Sequence, residues 1–147
     1  MKTIIFVCHG NICRSPAAKY IFDKIVQDLR GNNEFFAISR AVSYEEIGNN
    51  IYPPMKETLR RNNIPFSHHY ANIISREDYE KADYIFYMDE SNKRRLSNIV
   101  DDYKHICFPI FKFTPEIREI EDPWYTGRYQ LVVEQITKCV NDILHNI

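Results

Sequence analysis

A short polar loop, set between an apolar segment and a helical pattern, constrains the fold of this chain more than any other feature. Residues 4–7 are apolar and indicate a buried strand, and residues 8–16 follow as Cys-His-Gly-Asn-Ile-Cys-Arg-Ser-Pro. Ser15 and Pro16 are typical of a helix start, as N-cap and first helical residue. A strand, a tight loop and a helix N-terminus therefore meet at one point. Free backbone N–H groups and the positive end of the helix dipole make such a point a cradle for an oxyanion.

Two side chains of the loop add chemistry to this cradle. Arg14 offers a planar guanidinium that matches two oxygens of a phosphate group. Cys8 lies at the edge of the same positive field, which favours the thiolate, the nucleophilic form of cysteine. Gly10 and Asn11 tolerate the left-handed backbone that curls a loop around an anion. The predicted phosphate-binding residues are His9, Gly10, Asn11, Ile12, Cys13 and Arg14.

The composition is that of a globular protein with no strongly charged partner. The length of 147 residues predicts one domain over 1–147, and 44% of the residues are hydrophobic. A net charge of −1 predicts no attraction to nucleic acid or membrane, and the apolar stretches are far shorter than a membrane span. Four cysteines without an export signal favour reduced thiols in the cytoplasm. Cys8 and Cys13 lack the partners and spacing of a zinc site, so we expect neither metal nor cofactor.

Strand and helix patterns alternate along the chain. Apolar runs predict strands at 3–8, 35–39, 83–88 and 104–108. Helical spacing predicts a helix from Ser15 to a stop at Gly31-Asn32-Asn33, shorter helices at 55–62, 76–81 and 90–100, and a closing helix at 127–147. The intervening segments 40–54 and 109–125 are predicted loops, and 69–74 is weakly extended. This alternation predicts an α/β fold, a doubly wound four-stranded parallel sheet with helices on both faces.

Three predicted strands end at segments that are expected to lie close together in the fold. Cys8 ends the first strand, Met88 and Asp89 end the third, and the loop 109–125 follows the fourth. Ligands of doubly wound sheets bind beyond the carboxyl ends of the strands. We therefore expect these three separated segments to converge on one edge of the sheet.

Residues 8–16 resemble the phosphate-binding loop of the low-molecular-weight protein tyrosine phosphatases, which follows the pattern C-x-G-N-x-C-R-S-P near the N-terminus. The second signature of that family, Asp-Pro followed by aromatic residues, is matched at residues 122–125 as Asp-Pro-Trp-Tyr. A third segment, Met-Asp-Glu-Ser-Asn at 88–92, also resembles the family, and the similarity runs along essentially the whole chain. The resemblance implies hydrolysis of phosphotyrosine in proteins or peptides, and of small aryl phosphates. Inorganic phosphate and other oxyanions are then expected inhibitors.

The resemblance also implies roles for individual residues. Cys8 is expected to be the nucleophile that forms a phosphocysteine, and Arg14 is expected to hold the equatorial phosphate oxygens. Asp122 is expected to protonate the leaving phenolate and then to deprotonate the water that cleaves the intermediate. The residues expected to support the loop are Asn11, Ser15, Ser39, His68 and Asp89. Because Cys8 and Cys13 flank the same loop, we expect them to form a disulfide after mild oxidation.

The substrate pocket departs from the family pattern on one side. Its expected lining is Ile12, Tyr44, Glu45, Trp124 and Tyr125. The family often has an aromatic residue at the position of Glu45, whereas here Tyr44 comes one residue earlier. His9 stands where an apolar or small residue is common. It is expected to cap the pocket rim, to alter the local charge or to face solvent.

Three alternative functions remain open at this stage. An arsenate reductase of the same fold needs additional cysteines after the third strand, and the stretch 89–106 contains none. A protein-arginine phosphatase typically has threonine at the position of Ile12. A non-catalytic phosphate-binding or phosphotyrosine-binding module needs the cradle but neither Cys8 nor Asp122. The presence of both residues favours the phosphatase.

Overall fold

One parallel sheet of four strands organises the fold. The structure, a computed structural model, describes residues 1–29 and 34–147. The strands are β1 (Lys2–Cys8), β2 (Phe35–Ala41), β3 (Tyr84–Tyr87) and β4 (Cys107–Pro109), arranged in the order β2-β1-β3-β4. Every pairing in this sheet is parallel, and β1 is paired on both sides. The predicted four-stranded parallel sheet is confirmed.

Helices cover both faces of the sheet. They are α1 (Arg14–Leu29), α2 (Pro53–Arg61), α3 (Arg76–Lys81), α4 (Glu90–Ile99), α5 (Pro123–Thr126) and α6 (Tyr129–Leu144). Alternate residues of β1 enter different cores, because side chains alternate across a strand. Ile4 and Phe6 belong to the core formed with α1, α2 and α6, whereas Ile5 and Val7 belong to the core formed with α3 and α4. The predicted placement of helices on both faces is therefore confirmed.

The fourth strand is shorter than predicted and begins later. Residues 104–106 were expected to be extended, but the prediction is wrong there. The carboxylate of Asp102 accepts hydrogen bonds from the backbone N–H groups of Ile106 and Cys107, at 2.9 and 3.1 Å. His105 has a left-handed backbone with φ 55°. This turn delays the strand, so that the first contact with β3 is the hydrogen bond from Ile85 N–H to the carbonyl oxygen of Ile106 at 2.9 Å.

Other element ends differ from the predictions by a few residues. The helix predicted at 55–62 begins at Pro53, since proline is well tolerated in the first helical turn. The loop predicted at 109–125 ends in the short helix α5, which Gly127 terminates with φ 73°. The closing helix therefore begins at Tyr129 instead of Gly127. The predicted stop at 31–33 lies outside the described residues. Within the described parts of the chain, no helix combines the length and the apolar character needed to cross a membrane.

Candidate active site

The loop that leaves β1 curls around the sulfur of Cys8. The backbone N–H groups of Asn11 and Ser15 donate to Cys8 Sγ at 3.3 and 3.4 Å. Ser15 Oγ lies 3.1 Å from the same sulfur. This hydroxyl accepts a hydrogen bond from the Asn11 side chain at 2.8 Å, so its own proton is available for the sulfur. Three groups able to donate a hydrogen bond therefore converge on this one sulfur.

Asn11 fixes the shape of the loop from inside the protein. Its backbone is left-handed with φ 62°, and its side chain is fully buried. The side-chain amide donates to Ser15 Oγ at 2.8 Å and to Ser39 Oγ at 3.0 Å, and its oxygen accepts from the N–H of Asn72 at 3.1 Å. A left-handed residue without glycine's freedom persists where the surrounding structure over-determines it. The sequence indicated Asn11, Ser15 and Ser39, and the structure brings the three together.

A histidine also supports the loop, but it is His69 and not the predicted His68. His69 Nε2 donates to the carbonyl oxygen of Asn11 at 2.6 Å. Burial lowers the pKa of His69, which outweighs the hydrogen bond to Asn11, so the ring is neutral at pH 7. His68 instead lies 3.4 Å from the Asn50 side chain and packs against the ring of Tyr70. The two neighbouring histidines therefore contact different groups, and His69 is the one that reaches the loop.

Arg14, the first residue of α1, is buried behind the loop and held by groups from distant parts of the chain. Its Nη1 donates to Asp89 Oδ2 at 2.7 Å and to the carbonyl oxygen of Ile120 at 2.8 Å. Burial lowers the pKa of Arg14, but the negative charges of Cys8, Asp89 and Asp122 outweigh it and raise that pKa. The guanidinium is therefore a permanent cation. Asp89 is fixed in turn, because it caps α4 by accepting from the N–H of Asn92 at 2.8 Å.

Asp122 faces Arg14 from the loop that follows β4. Its Oδ1 accepts from the N–H of Trp124 at 3.0 Å and so caps α5. Its Oδ2 lies 3.7 Å from Arg14 Nη2. The side chain is about 28% exposed, which leaves this carboxylate open to solvent and ligand. One oxygen is thus held by the backbone while the other points toward the guanidinium.

These groups line one cleft with a volume of about 150 Å³. The lining residues are Cys8, His9, Gly10, Ile12, Cys13, Arg14, Glu45, Glu46, Asp122, Trp124 and Tyr125. The aromatic wall is positioned by packing, since the ring centroids of Trp124 and Tyr52 are 4.7 Å apart. The cleft therefore combines a polar base with an aromatic side wall.

The predicted pocket residue Tyr44 does not line this cleft. Tyr44 is 74% exposed and lies in a neighbouring groove. Glu45 and Glu46 occupy the cleft side of the turn that follows β2. His9 Nε2 lies 2.9 Å from Glu45 Oε2 and joins the two sides of the cleft mouth. Of the three roles open to His9, the structure supports capping of the rim.

The sequence of the whole chain, and not only that of the site, identifies the family. A sequence model described as low molecular weight phosphotyrosine protein phosphatase matches residues 3–147. The chain belongs to this family.

Named relatives of the low molecular weight phosphatase family cover nearly all of this chain. The human low molecular weight phosphotyrosine protein phosphatase is 38% identical over 152 residues, covering 97% of this chain and 94% of the human protein. The low molecular weight protein-tyrosine-phosphatase YfkJ of Bacillus subtilis is 31% identical over 150 residues, covering 100% and 96%. The crystal structure of YfkJ matches with a TM-score of 0.95 at 29% identity and covers 100% of this chain and 94% of that one. The resemblance seen in the motifs is confirmed.

Several residues of this low molecular weight phosphatase fold were missed by sequence reasoning. Glu46, Asn72 and the carbonyl of Ile120 all act at the cleft or its support, and none lies in a motif. All three lie in segments predicted as loops or as weakly extended, so no sequence signal marked them. Glu46 sits close to Gly10, where an added Cβ would come within 3.2 Å of the glutamate side chain. The loop and this glutamate are therefore packed against each other.

The cysteines of this family member differ in their surroundings. All four carry free thiols. Burial raises the pKa of Cys13, and the charge of Cys8 adds to the effect. Burial also raises the pKa of Cys107 to about 12 and that of Cys139 to about 11. Cys13, Cys107 and Cys139 are therefore neutral thiols at pH 7.

Proposed function

We propose that this protein is a protein tyrosine phosphatase that hydrolyses phosphotyrosine and small aryl phosphates through a phosphocysteine. One observation supports this most: Cys8, Arg14 and Asp122 line a single cleft although they come from three separated segments. The cleft places a sulfur, a permanent cation and a solvent-accessible carboxylate around one space. Those are the nucleophile, the charge stabiliser and the proton donor that phosphoryl transfer requires.

In the first step, the Cys8 thiolate attacks the phosphorus atom in line with the ester oxygen. A phosphorus–sulfur bond forms as the phosphorus–oxygen bond to the tyrosine breaks, and Asp122 gives its proton to the departing phenolate. Backbone N–H groups of residues 9–14 and the Arg14 guanidinium bind the three equatorial oxygens. These donors are set in place by folding, so little reorganisation accompanies the reaction.

In the second step, water replaces the sulfur. Asp122, now ionised, takes a proton from the attacking water, and the phosphorus–sulfur bond breaks to release inorganic phosphate. The leaving sulfur departs as a thiolate. Ser15 Oγ, 3.1 Å from Cys8 Sγ, donates a hydrogen bond to that thiolate as the charge develops. Among the described residues, the other acceptor of this hydroxyl is Arg40 O, which lies farther away at 3.4 Å.

The lining of the cleft favours aryl esters. Trp124 and Tyr125 offer aromatic surface to a planar ring, and Ile12 adds an apolar side chain to the same lining. A phenyl ring reaches the base of such a cleft along its long axis, which brings its phosphate to Cys8. Phosphotyrosyl proteins and peptides are therefore the proposed substrates, and inorganic phosphate and related oxyanions the proposed competitors.

An assay with four substrates tests this function. We expect the pure protein to hydrolyse p-nitrophenyl phosphate and a phosphotyrosyl peptide, and inorganic phosphate to inhibit both reactions competitively. Phosphoarginine hydrolysis that exceeds phosphotyrosine hydrolysis would instead indicate a protein-arginine phosphatase. Thiol-dependent reduction of arsenate would indicate an arsenate reductase. Binding of phosphotyrosine without turnover of any substrate would indicate a binding module.

We also propose that Cys8 and Cys13 protect the enzyme from irreversible oxidation in a reducing compartment, the cytoplasm. Peroxide oxidises the Cys8 thiolate to a sulfenic acid and is itself reduced, with release of hydroxide. The Cys13 thiol then attacks that sulfur and gives up its proton, so that a disulfide forms and the sulfenic oxygen leaves as water. The position of both thiols on one short loop supports this route.

Mild peroxide is expected to inactivate the protein reversibly. A dithiol should restore activity, and bound phosphate should slow the loss because it covers Cys8. In Cys13→Ser the inactivation should become harder to reverse, since no second thiol traps the sulfenic acid. Peptide mapping of the oxidised protein gives the direct measurement. If no linked Cys8–Cys13 peptide appears and recovery is unchanged in the variant, the protective role is wrong and the phosphatase assignment is unaffected.

A further inference from the structure

A second groove adjoins the catalytic cleft on the far side of the His9–Glu45 pair. Glu45 lines both spaces. The second groove has a volume of about 480 Å³, compared with about 150 Å³ for the cleft. We call it the flanking groove, lined by Val42, Ser43, Tyr44, Ile73, Arg95 and Asn98 together with its border residue Glu45. A chain that leaves the cleft over this border enters the flanking groove directly.

The walls of the flanking groove suit a peptide better than a compact ligand. Its base includes the apolar side chains of Val42 and Ile73, and the exposed ring of Tyr44 lies along one side. The hydroxyl of Ser43 is buried and has no hydrogen-bond partner among the described residues. A buried polar group without a partner costs free energy until a ligand supplies one. A peptide backbone offers both donors and acceptors to such a group.

The positive charge in the groove favours an acidic peptide. Arg95, on α4, lines the groove and makes no ion pair within the described parts of the chain. Its neighbours Lys93 and Arg94 are likewise exposed and unpaired there. The carboxylate of Glu45 on the border is partly occupied, since His9 Nε2 lies 2.9 Å from its Oε2. Among the described residues, the guanidinium of Arg95 is thus available to a ligand, whereas the carboxylate of the border residue Glu45 is already paired with His9.

We propose that the flanking groove binds the segment of a phosphotyrosyl substrate next to the phosphotyrosine, with an acidic side chain of that segment on Arg95. This inference rests on the proposed function and specifies its substrate class. The phosphotyrosine fills the cleft, the backbone crosses the His9–Glu45 border, and the following residues lie over Val42, Ile73 and Ser43. A small aryl phosphate occupies the cleft alone and gains nothing from the groove.

Peptide selectivity tests the flanking groove. The probes are phosphotyrosyl peptides of equal length, with one glutamate placed in turn at each of four positions on either side, and a matching set with lysine. We expect wild-type kcat/KM to be higher for glutamate than for lysine at one or two of these positions, mainly through KM. In Arg95→Glu this ratio should fall about five-fold, because the attraction of an exposed pair becomes a repulsion. Arg95→Gln should give an intermediate ratio.

The matched control is Arg94→Glu, which makes the same charge change one residue earlier on α4 but outside the groove lining. Its glutamate-to-lysine ratio should stay at the wild-type value. An unchanged ratio in Arg95→Glu, or an equal fall in both variants, would overturn the inference. Hydrolysis of p-nitrophenyl phosphate by the wild-type protein distinguishes a failure of the proposed function from a failure of the groove proposal. Its absence would reject the proposed function, whereas its presence with an unresponsive peptide ratio would reject the groove alone.

Discussion

Cys8→Ser is expected to abolish hydrolysis of p-nitrophenyl phosphate, with kcat lowered by at least about 10⁴-fold. A serine hydroxyl at this site stays protonated, and no base lies among the groups that contact Cys8 Sγ, all of which are donors or the Ser15 hydroxyl. The phosphate-binding groups are unaffected, because they belong to the backbone and to Arg14. Calorimetry should therefore show that inorganic phosphate still binds, while steady-state assays show no turnover.

The control for this variant is Cys107→Ser. Cys107 is a half-buried thiol on β4 and does not line the cleft, so its substitution should retain most of the activity. Near-normal hydrolysis by Cys8→Ser would contradict the assignment of the nucleophile. Loss of both activity and phosphate binding, together with a lowered melting temperature, would show that the substitution damages the loop itself.

Asp122→Asn is expected to slow hydrolysis of phenyl phosphate by about 10²–10⁴-fold, the range typical of general acid catalysis. Asparagine keeps a side-chain oxygen that accepts from the N–H of Trp124, so the cap of α5 is preserved. What it lacks is the acidic proton. The loss should therefore shrink for esters whose phenols are strongly acidic, since those leaving groups need no proton.

A series of aryl phosphates with leaving groups of different pKa measures this effect. The slope of log(kcat/KM), which reports the first step and not the hydrolysis of the phosphocysteine, should be shallow against leaving-group pKa in the wild-type protein and steep in Asp122→Asn. Asp122→Ala serves as the comparison, because it removes the cap as well as the acid. A loss that is the same for every ester, or one confined to Asp122→Ala, would assign Asp122 a structural role only.

Local sequence patterns predicted the strands and helices that are determined by a single segment of the chain. The apolar runs of β1 and β3 and the spacing in α1 and α6 each report on a segment that is buried as a unit. β4 is different, because its start depends on Asp102. That carboxylate also accepts from the Tyr79 hydroxyl at 2.8 Å, so the turn is built with a residue 23 positions away. No pattern within 104–108 contains this information.

In the site, too, residues that are close in sequence could be predicted, whereas the choice between neighbouring residues of another segment could not. The loop could be predicted because its cysteine, glycine, asparagine and arginine are close in sequence. The choice of His69 over His68 and the absence of Tyr44 from the cleft lining could not, because which neighbour of a pair faces the site depends on the path of the backbone. His68 and His69, or Tyr44 and Glu45, are equally plausible until the path of the chain is known.

The central position of β1 has a consequence for how the protein is made. β1 is synthesised first, yet it lies between β2 and β3 and is paired with both. The groups that hold Arg14, namely Asp89 and the carbonyl of Ile120, leave the ribosome much later. A nascent chain that stops before β3 thus carries the reactive cysteine without its completed surroundings. The active site is therefore complete only late in translation, after the second half of the chain has been synthesised and has packed against the first.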